Sequence, residues 1–365
     1  MRLIINGYFL AKPKTGMGQY LLNILLNQKW SVDILILIPE YLKSDTKNLP
    51  STILKNVKYI PTWYKRNDLL AQILWEQYVI PREANSYKAD LLWSPHPTIS
   101  YTPNIRHIMT VHDVIYWRLP EYIPNWKVRL YVKLLEKSIL RADKIITISK
   151  FSAKEIESIF RVKSKKIPII SPSSPKLRSQ NTNPISKNKY LFYEGGLDIR
   201  KNVPRLIEAF SLITSKYPDL NLYIAGNYFD SPIIPNIPNI IKKHNLQDKV
   251  KLLGYISDED MISYIKNAEA LVYPSLYEGF GIPILEGFGL GTPVITSNVG
   301  AMSEIGAEAV IQVNSESSKS IAKGIESILT DDLLRQSLIY KGKERLKQFN
   351  WAKSALELEL VFNTN

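Results

Sequence analysis

The chain has 365 residues, 45% of them apolar and 22% charged, a composition that excludes intrinsic disorder and exceeds what one ordinary hydrophobic core needs. It contains no cysteine, which excludes disulfides and thiolate metal sites, and its four histidines (96, 107, 112 and 244) are nowhere paired at metal-ligand spacing. The net charge of +13 is confined to one half: residues 1–175 hold 26 Lys+Arg against 13 Asp+Glu, whereas residues 176–365 hold 21 of each.

Short apolar runs alternate with helical patterns along the whole chain. In the first half the strand candidates are Arg2–Ile5, Val32–Ile38, Asp90–Ser94, His107–Val111 and Lys144–Ile148. Helical patterns lie between and after them, at Gly18–Gln28, Asp68–Val79, Lys127–Ser138 and Ser152–Phe160. Such alternation predicts βαβ units on a parallel sheet. A stretch rich in Pro, Ser and Asn follows, from Pro168 to about Asn188, and the pattern then restarts. Its strand candidates are Lys189–Tyr193, Leu220–Ala225, Val250–Leu253, Ala270–Tyr273 and Val294–Ser297. Helices are expected at Val203–Lys216, Asp258–Asn267, Pro283–Leu290, Ser318–Leu329 and Asp331–Gln348. The predicted class is α/β, with two Rossmann-like doubly wound domains facing each other across a cleft. Their expected extents are 1–170 and 171–349, with a last helix at about 350–365 packing back on the first domain. Open sheets of this kind bind ligands at the carboxyl ends of their strands, so functional residues are sought in the loops that follow strands.

The richest such loop is Tyr277-Glu278-Gly279-Phe280-Gly281-Ile282-Pro283-Ile284-Leu285-Glu286, after the strand Ala270–Tyr273. Pro283 suits a first helical turn, where a missing N–H costs nothing. The amides of Phe280, Gly281 and Ile282 would then be open to an anionic phosphate at a helix N-terminus. Glu278 before the helix and Glu286, expected in its first turn, can each accept from sugar or ribose hydroxyls. After Lys189–Tyr193 comes Gly195-Gly196-Leu197-Asp198-Ile199-Arg200-Lys201-Asn202, where glycines allow close backbone approach and Arg200 and Lys201 supply the positive charge a departing diphosphate needs.

These segments resemble the E-x7-E signature and the donor-phosphate loop of retaining glycosyltransferases of the GT-B fold, family 4 in particular. Glu278 and Glu286 have the signature spacing. Thr110-Val111-His112-Asp113-Val114, Arg141–Ser149 and Gly291–Asn298 extend the resemblance in family order over nearly the whole chain. In several family members an arginine follows the first glycine of the phosphate loop; here Gly196 stands there, and Arg200 is expected to take over part of that role. The resemblance implies catalytic roles for His112, near the donor sugar, and for Glu278. It implies donor-binding roles for Gly16 and Gly18 (in the turn Lys12–Tyr20), Arg200, Lys201, Phe280, Gly281, Ile282 and Glu286. It implies a hexosyl transfer with retention, with no metal and no cofactor beyond the nucleotide-sugar donor. The bacterial mannosyltransferase-like branch that builds surface polysaccharide is the nearest in character. GDP-mannose is accordingly expected before a UDP-sugar, with a glycan or a lipid-diphosphate-linked acceptor. Asp113 is a candidate for orienting the loop or the acceptor, and His96, in Trp93-Ser94-Pro95-His96-Pro97, for touching the acceptor.

Asp258-Glu259-Asp260 matches a D-x-D metal pattern of a different glycosyltransferase fold, but Ser257 before it predicts a helix cap instead. The basic first half predicts an anionic partner, with aromatic-basic stretches at Trp63-Tyr64-Lys65-Arg66 and Tyr122–Lys137 suited to an anionic membrane surface. No apolar run approaches the ~20 residues of a spanning helix, and Met1–Ile5 is too short for a signal peptide. The expectation is a cytoplasmic protein, peripheral at the inner face of the membrane. Two other readings stay open: a different GT-B chemistry such as a sugar-nucleotide epimerase, marked by release of a free epimer, and a non-enzymatic nucleic-acid binder. The second lacks a recognised nucleic-acid motif, so no nucleic acid is expected as partner.

Overall fold

The protein, seen in a computed structural model, is described over residues 1–65, 68–98, 104–163, 166–174, 188–226 and 231–364. Arg66 and positions 175–187 of the predicted linker lie outside the described residues. The chain divides into two compact units, Met1–Pro172 with Asn350–Asn365, and Ser173–Phe349.

The first unit is built on β1 (Arg2–Asn6), β2 (Asp33–Pro39), β3 (Val57–Ile60), β4 (Leu91–Ser94), β5 (Arg106–Thr110) and β6 (Lys144–Ile146), in the order β3-β2-β1-β4-β5-β6. The second is built on β7 (Tyr190–Glu194), β8 (Asn221–Ala225), β9 (Val250–Gly254), β10 (Ala270–Tyr273), β11 (Val294–Ser297) and β12 (Ile311–Val313), in the order β12-β11-β10-β7-β8-β9. All pairings are parallel. Central strands such as Leu91-Leu92-Trp93-Ser94 and Ala270-Leu271-Val272-Tyr273 are buried along their whole length, as strands covered on both faces must be. Counted from its own first strand, each sheet has one topology: three strands run to one edge, and the fourth returns beside the first. The reversal falls at β1/β4 in one unit and β7/β10 in the other, and the carboxyl ends there are the places a doubly wound sheet offers to a ligand.

Two strands escaped the sequence reading, and both are edges. β3 is largely half-buried and carries an exposed Lys58, while β12 has only three residues. The helix expected to end at Val79 instead continues to Ser86 through a π-helical turn, Trp75–Val79. Pro81 accounts for the widening. It has no amide for the carbonyl of Gln77, and its ring would crowd that carbonyl in a regular helix.

The helix Trp351–Asn363 belongs to the first unit through specific contacts. Trp30 Nε1 donates to the Ala355 carbonyl at 2.8 Å, and Arg106 donates to the Phe362 carbonyl at 2.7 Å. The Phe362 ring sits edge-on to Trp30 at 5.1 Å and tilted against Trp93 at 5.7 Å. All seven tryptophans (30, 63, 75, 93, 117, 126 and 351) fall in this unit, so their fluorescence reports on it alone. Phe362→Ala is expected to cost ~3–5 kcal/mol and to lower the urea midpoint followed by tryptophan emission by ~1 M or more. An unchanged midpoint would remove this helix from the stability of the first unit.

Candidate functional site

In the second unit two loops meet at the β7/β10 switch. After β7 the chain passes Gly195 and Gly196 into a short 3-10 turn, Ile199–Lys201. After β10 it runs from Pro274 to the helix Ile282–Leu290. The loops are strapped together. Leu276 N donates to the Arg200 carbonyl at 2.7 Å, and Asn202 Nδ2 donates to the carbonyls of Pro274 (3.0 Å) and Ser315 (2.7 Å). Asn202 manages both from the left-handed region, at φ 61°, a conformation asparagine tolerates better than most residues.

The strap brings three charges together. Lys201 Nζ donates to Glu278 Oε1 at 2.6 Å, and Arg200 donates to Glu278 Oε2 at 2.6 Å. The Tyr273 hydroxyl donates to Glu278 Oε1 at 2.7 Å and accepts from Lys201 at 2.6 Å. Asp198 lies 3.2 Å from Arg200 on its other side. Lys201 and Glu278 are both 8% exposed, so these are interior charges held by one another. Burial alone would raise the Glu278 pKa, but the neighbouring Arg200 and Lys201 overcome it and hold the carboxyl at about 2.

This arrangement changes the part expected of Glu278. It was read as open to a hydroxyl, but here both its oxygens already accept, and its visible work is to fix Arg200 and Lys201. The helix that follows starts as expected. Gly281 caps it at φ 106°, a conformation that favours glycine, and Pro283 stands second in the helix. The Phe280 ring is buried edge-on against Phe349 at 5.7 Å, which anchors the backbone at the cap. Glu286 is corrected: it is the fifth helical residue, buried, and belongs to the second turn, because the helix begins only at Ile282.

In the first unit, His112 follows β5. Its Nε2 lies 2.8 Å from the Pro95 carbonyl, and the Tyr20 ring meets it edge-on at 5.0 Å. A carbonyl only accepts, so Nε2 carries the proton and Nδ1 is the acceptor. Desolvation lowers the His112 pKa to about 4, which keeps the ring neutral at pH 7. Ser152 Oγ pins the His112 carbonyl at 2.9 Å, and Asp113 accepts from the Ile115 amide at 3.1 Å, shaping the loop. Gly16 opens the helix Gly16–Asn27, capped by Thr15, whose hydroxyl accepts from Gly18 N at 3.1 Å. The two glycines differ. A Cβ on Gly18 would lie 2.2 Å from the Lys12 carbonyl oxygen, whereas one on Gly16 would meet open space. Gly18 is thus needed for packing, and Gly16 leaves room at a helix start. His96 is not an open group: it is 1% exposed, with Nε2 3.2 Å from Glu76.

Asp258, Glu259 and Asp260 form the first turn of the helix Asp258–Lys266, with Ser257 Oγ accepting from Asp260 N at 3.0 Å, as a cap does. Among the described residues no group of three or more His, Asp or Glu is placed to hold a metal ion. The sequence reading missed Tyr273, Asn202 and Tyr193, whose hydroxyl donates to the Gly196 carbonyl at 2.5 Å. Their signal was faint: polar-tipped residues in the last positions of strands, or just beyond the turn that follows.

Comparison with known proteins identifies the family. The family described as Glycosyltransferase Family 4 matches residues 16–173, and the one described as Glycosyl transferases group 1 matches residues 175–345. The chain is 30% identical to O-antigen chain mannosyltransferase B of Escherichia coli over 67% of each protein. It is 27% identical to O-antigen chain mannosyltransferase RfbU of Salmonella typhimurium over 89% of this chain and 90% of that one. Among solved structures, Anabaena Alr3699/HepE in complex with UDP-glucose aligns with a TM-score of 0.75 at 17% identity, covering 100% of both chains.

The buried triad ties Glu278 and Lys201 to the stability of the second unit. Glu278→Ala strands the Lys201 ammonium in the interior and is expected to cost ~3–5 kcal/mol. The sign with pH follows from the depressed pKa: the stabilisation by Glu278 is complete above its ordinary value of 4.5 and is lost as pH falls toward about 2. Thermal melts followed by far-UV circular dichroism from pH 6 to pH 2 should show a steeper acid loss in the wild type than in Glu278→Gln; parallel curves would deny the triad this role.

Proposed function

The chain belongs to the family 4 glycosyltransferases, and on that footing we propose that it transfers mannose from GDP-mannose, with retention of configuration, to a glycan or lipid-diphosphate-linked acceptor in surface polysaccharide synthesis. The observation that carries the reading is the Arg200–Lys201–Glu278 triad beside a glycine-capped helix start. The relatives named above, two O-antigen mannosyltransferases, favour mannose and therefore GDP; the UDP-glucose complex of the Anabaena protein favours a nucleotide-sugar donor in general.

In the proposed reaction the bond between the anomeric carbon and the diphosphate oxygen breaks, and the electron pair leaves with the diphosphate. Arg200, Lys201 and the amides of Phe280, Gly281 and Ile282 receive that charge, so no metal is needed. Glu278 holds the two cations in place before the charge develops. The acceptor hydroxyl bonds to the anomeric carbon on the face the diphosphate leaves, and its proton passes to a leaving phosphate oxygen. His112, neutral and accepting at Nδ1, takes a hydrogen bond from a hydroxyl of the donor sugar. Glu286 holds the ribose or sugar hydroxyls, and Gly16 and Gly18 are the first unit's candidates for donor-phosphate contacts. Incubation with GDP-mannose, UDP-glucose and dTDP-sugars, with the product linkage read by NMR, tests the assignment. An α-mannoside made in the presence of EDTA is the expected product, and Glu278→Gln should lower turnover by ~10²–10³. A β-linkage, a free epimer, a metal requirement or full activity in that variant would each count against it.

The membrane part of the proposal rests on the helix Trp126–Arg141. Trp126, Leu130, Lys133, Lys137 and Leu140 recur at helical spacing and are all exposed, Trp126 to 70%. Tyr131, Val132, Leu135 and Ile139 are buried on the other side. No helix among the described residues is long and apolar enough to cross a membrane, so attachment would be peripheral through this face. Lys133→Glu/Lys137→Glu should abolish co-sedimentation with anionic vesicles at low salt; equal binding to neutral vesicles would remove this part.

A further inference from the structure

In the proposed reaction His112 accepts a hydrogen bond at Nδ1, and its ring has to keep one orientation to do so. A half-turn about the Cβ–Cγ bond would put a carbon in the place of Nδ1 and take Nε2 away from the Pro95 carbonyl. Several contacts resist that turn. The Pro95 carbonyl holds Nε2 at 2.8 Å, and Ser152 Oγ holds the His112 carbonyl at 2.9 Å. The amide of Val111, just before it, donates to the Ile146 carbonyl at 2.8 Å. These fix the main chain and one corner of the imidazole. They leave the tilt of its plane to packing.

Tyr20 supplies that packing. It stands on the helix Gly16–Asn27, one turn beyond Gly16, and is 1% exposed. Its ring lies at 87° to the His112 ring, with centroids 5.0 Å apart, the edge-to-face arrangement that aromatic pairs prefer. Tyr20 is itself backed by Trp351, which is buried and meets it at 6.0 Å and 65°. Trp351 opens the last helix, and its place is set by a cap: Asn350 Oδ1 accepts from the amides of Ala352 at 2.8 Å and Lys353 at 3.2 Å. The Tyr20 hydroxyl and Trp351 Nε1 are both buried without a hydrogen-bond partner among the described residues. The rings, and not their polar tips, therefore make the contact. The close packing of Gly18 on the Lys12 carbonyl fixes where the helix of Tyr20 starts, and so where its ring arrives.

We propose that Tyr20, backed by Trp351, is the positioning residue that keeps the His112 ring turned with Nδ1 open to the donor sugar. The proposal rests on the family 4 reading of His112. In this role Tyr20 touches no reacting atom: it acts through His112, and Trp351 acts through Tyr20. One helix thereby serves two loops, presenting the glycine turn at its start and the ring that steadies His112 one turn later.

The test uses the whole chain with isotope-labelled histidine. Long-range proton–nitrogen spectra, which distinguish the two imidazole tautomers, are read beside steady-state kinetics with the nucleotide sugar that supports turnover. Loss of a signal in His112→Gln identifies the residue. In the wild type His112 is expected as the single tautomer protonated at Nε2. Tyr20→Phe keeps the ring and drops a hydroxyl that has no partner, so spectrum and turnover should stay those of the wild type. Tyr20→Leu removes the ring, and Tyr20→Met repeats the removal with a side chain that adapts better to a core. In both, the His112 signals should average between tautomers and kcat should fall ~10–100-fold, with KM for the nucleotide sugar changed by less than about threefold. A wild-type His112 spectrum in either folded ring-less variant would overturn the role. So would a mixture of tautomers in the wild type, or a loss of kcat in Tyr20→Phe equal to that in Tyr20→Leu. Failure of the transferase reading is a separate result: a wild type that turns over no nucleotide sugar, in which the histidine spectra still decide whether Tyr20 holds the ring.

Discussion

The second unit is organised around one carboxylate that two cations share in its interior. Glu278 accepts from Arg200, Lys201 and Tyr273, all at 2.6–2.7 Å. Charges so little exposed are tolerable only as a set, since each partner removes the desolvation penalty of the others. That necessity governs the local chain. The loops after β7 and β10 must be held in register, which is why Asn202 bridges to Pro274 and Ser315 from a left-handed conformation. Tyr273 must end its strand with the hydroxyl turned to the carboxylate. Gly281 must turn the chain into the following helix within three residues of Glu278.

The two sheets share a topology but not a chemistry. Both reverse order between their first and fourth strands, and both gather buried polar residues at that edge. At β7/β10 the gathered groups are ionic, and both oxygens of the central carboxylate accept hydrogen bonds. At β1/β4 they are mixed, with the Glu76 carboxylate, the Asn6 amide and the His96 imidazole all buried. The charge budget of the chain runs opposite to this local picture. The half with no net charge holds the tight ionic triad, while the half carrying all the excess positive charge holds the neutral-leaning cluster. Part of the excess lies on the exposed face of the helix Trp126–Arg141, at Lys133 and Lys137.

Much of this was legible in the sequence because strands buried on both faces read as apolar runs, and Ala270–Tyr273 and Val294–Ser297 have the same bounds in both. β3 and β12 were not legible, since an edge strand is short or half-polar and gives no such run. In the site, the glycines and proline around Gly281 announced a helix start through backbone rules that hold regardless of context. The pairing of Glu278 with Lys201, 77 residues apart, could not be read that way. Nor could the burial of Glu76, which depends on a π turn that Pro81 induces and on a histidine from another loop. The sequence reading erred in one consistent direction: it treated charged loop residues as exposed, because it had no means of seeing that their partners would enclose them.

That enclosure bears on how a neutralised pair of cations can serve a departing diphosphate. In the free protein Glu278 offsets one of the two positive charges, and Asp198, 3.2 Å from Arg200, offsets the other. This is weaker than two bare cations, but bare cations would be hydrated or mobile, and moving them costs energy as the reaction proceeds. Cations already fixed by a buried carboxylate cost nothing further when negative charge appears beside them. The carboxylate also opposes overly tight capture of the intact donor, whose diphosphate is less charged than the one that leaves. Under the proposed function, interaction therefore grows as the glycosidic bond breaks, which is the difference that accelerates a reaction, whereas equal attraction for both states would only tighten binding.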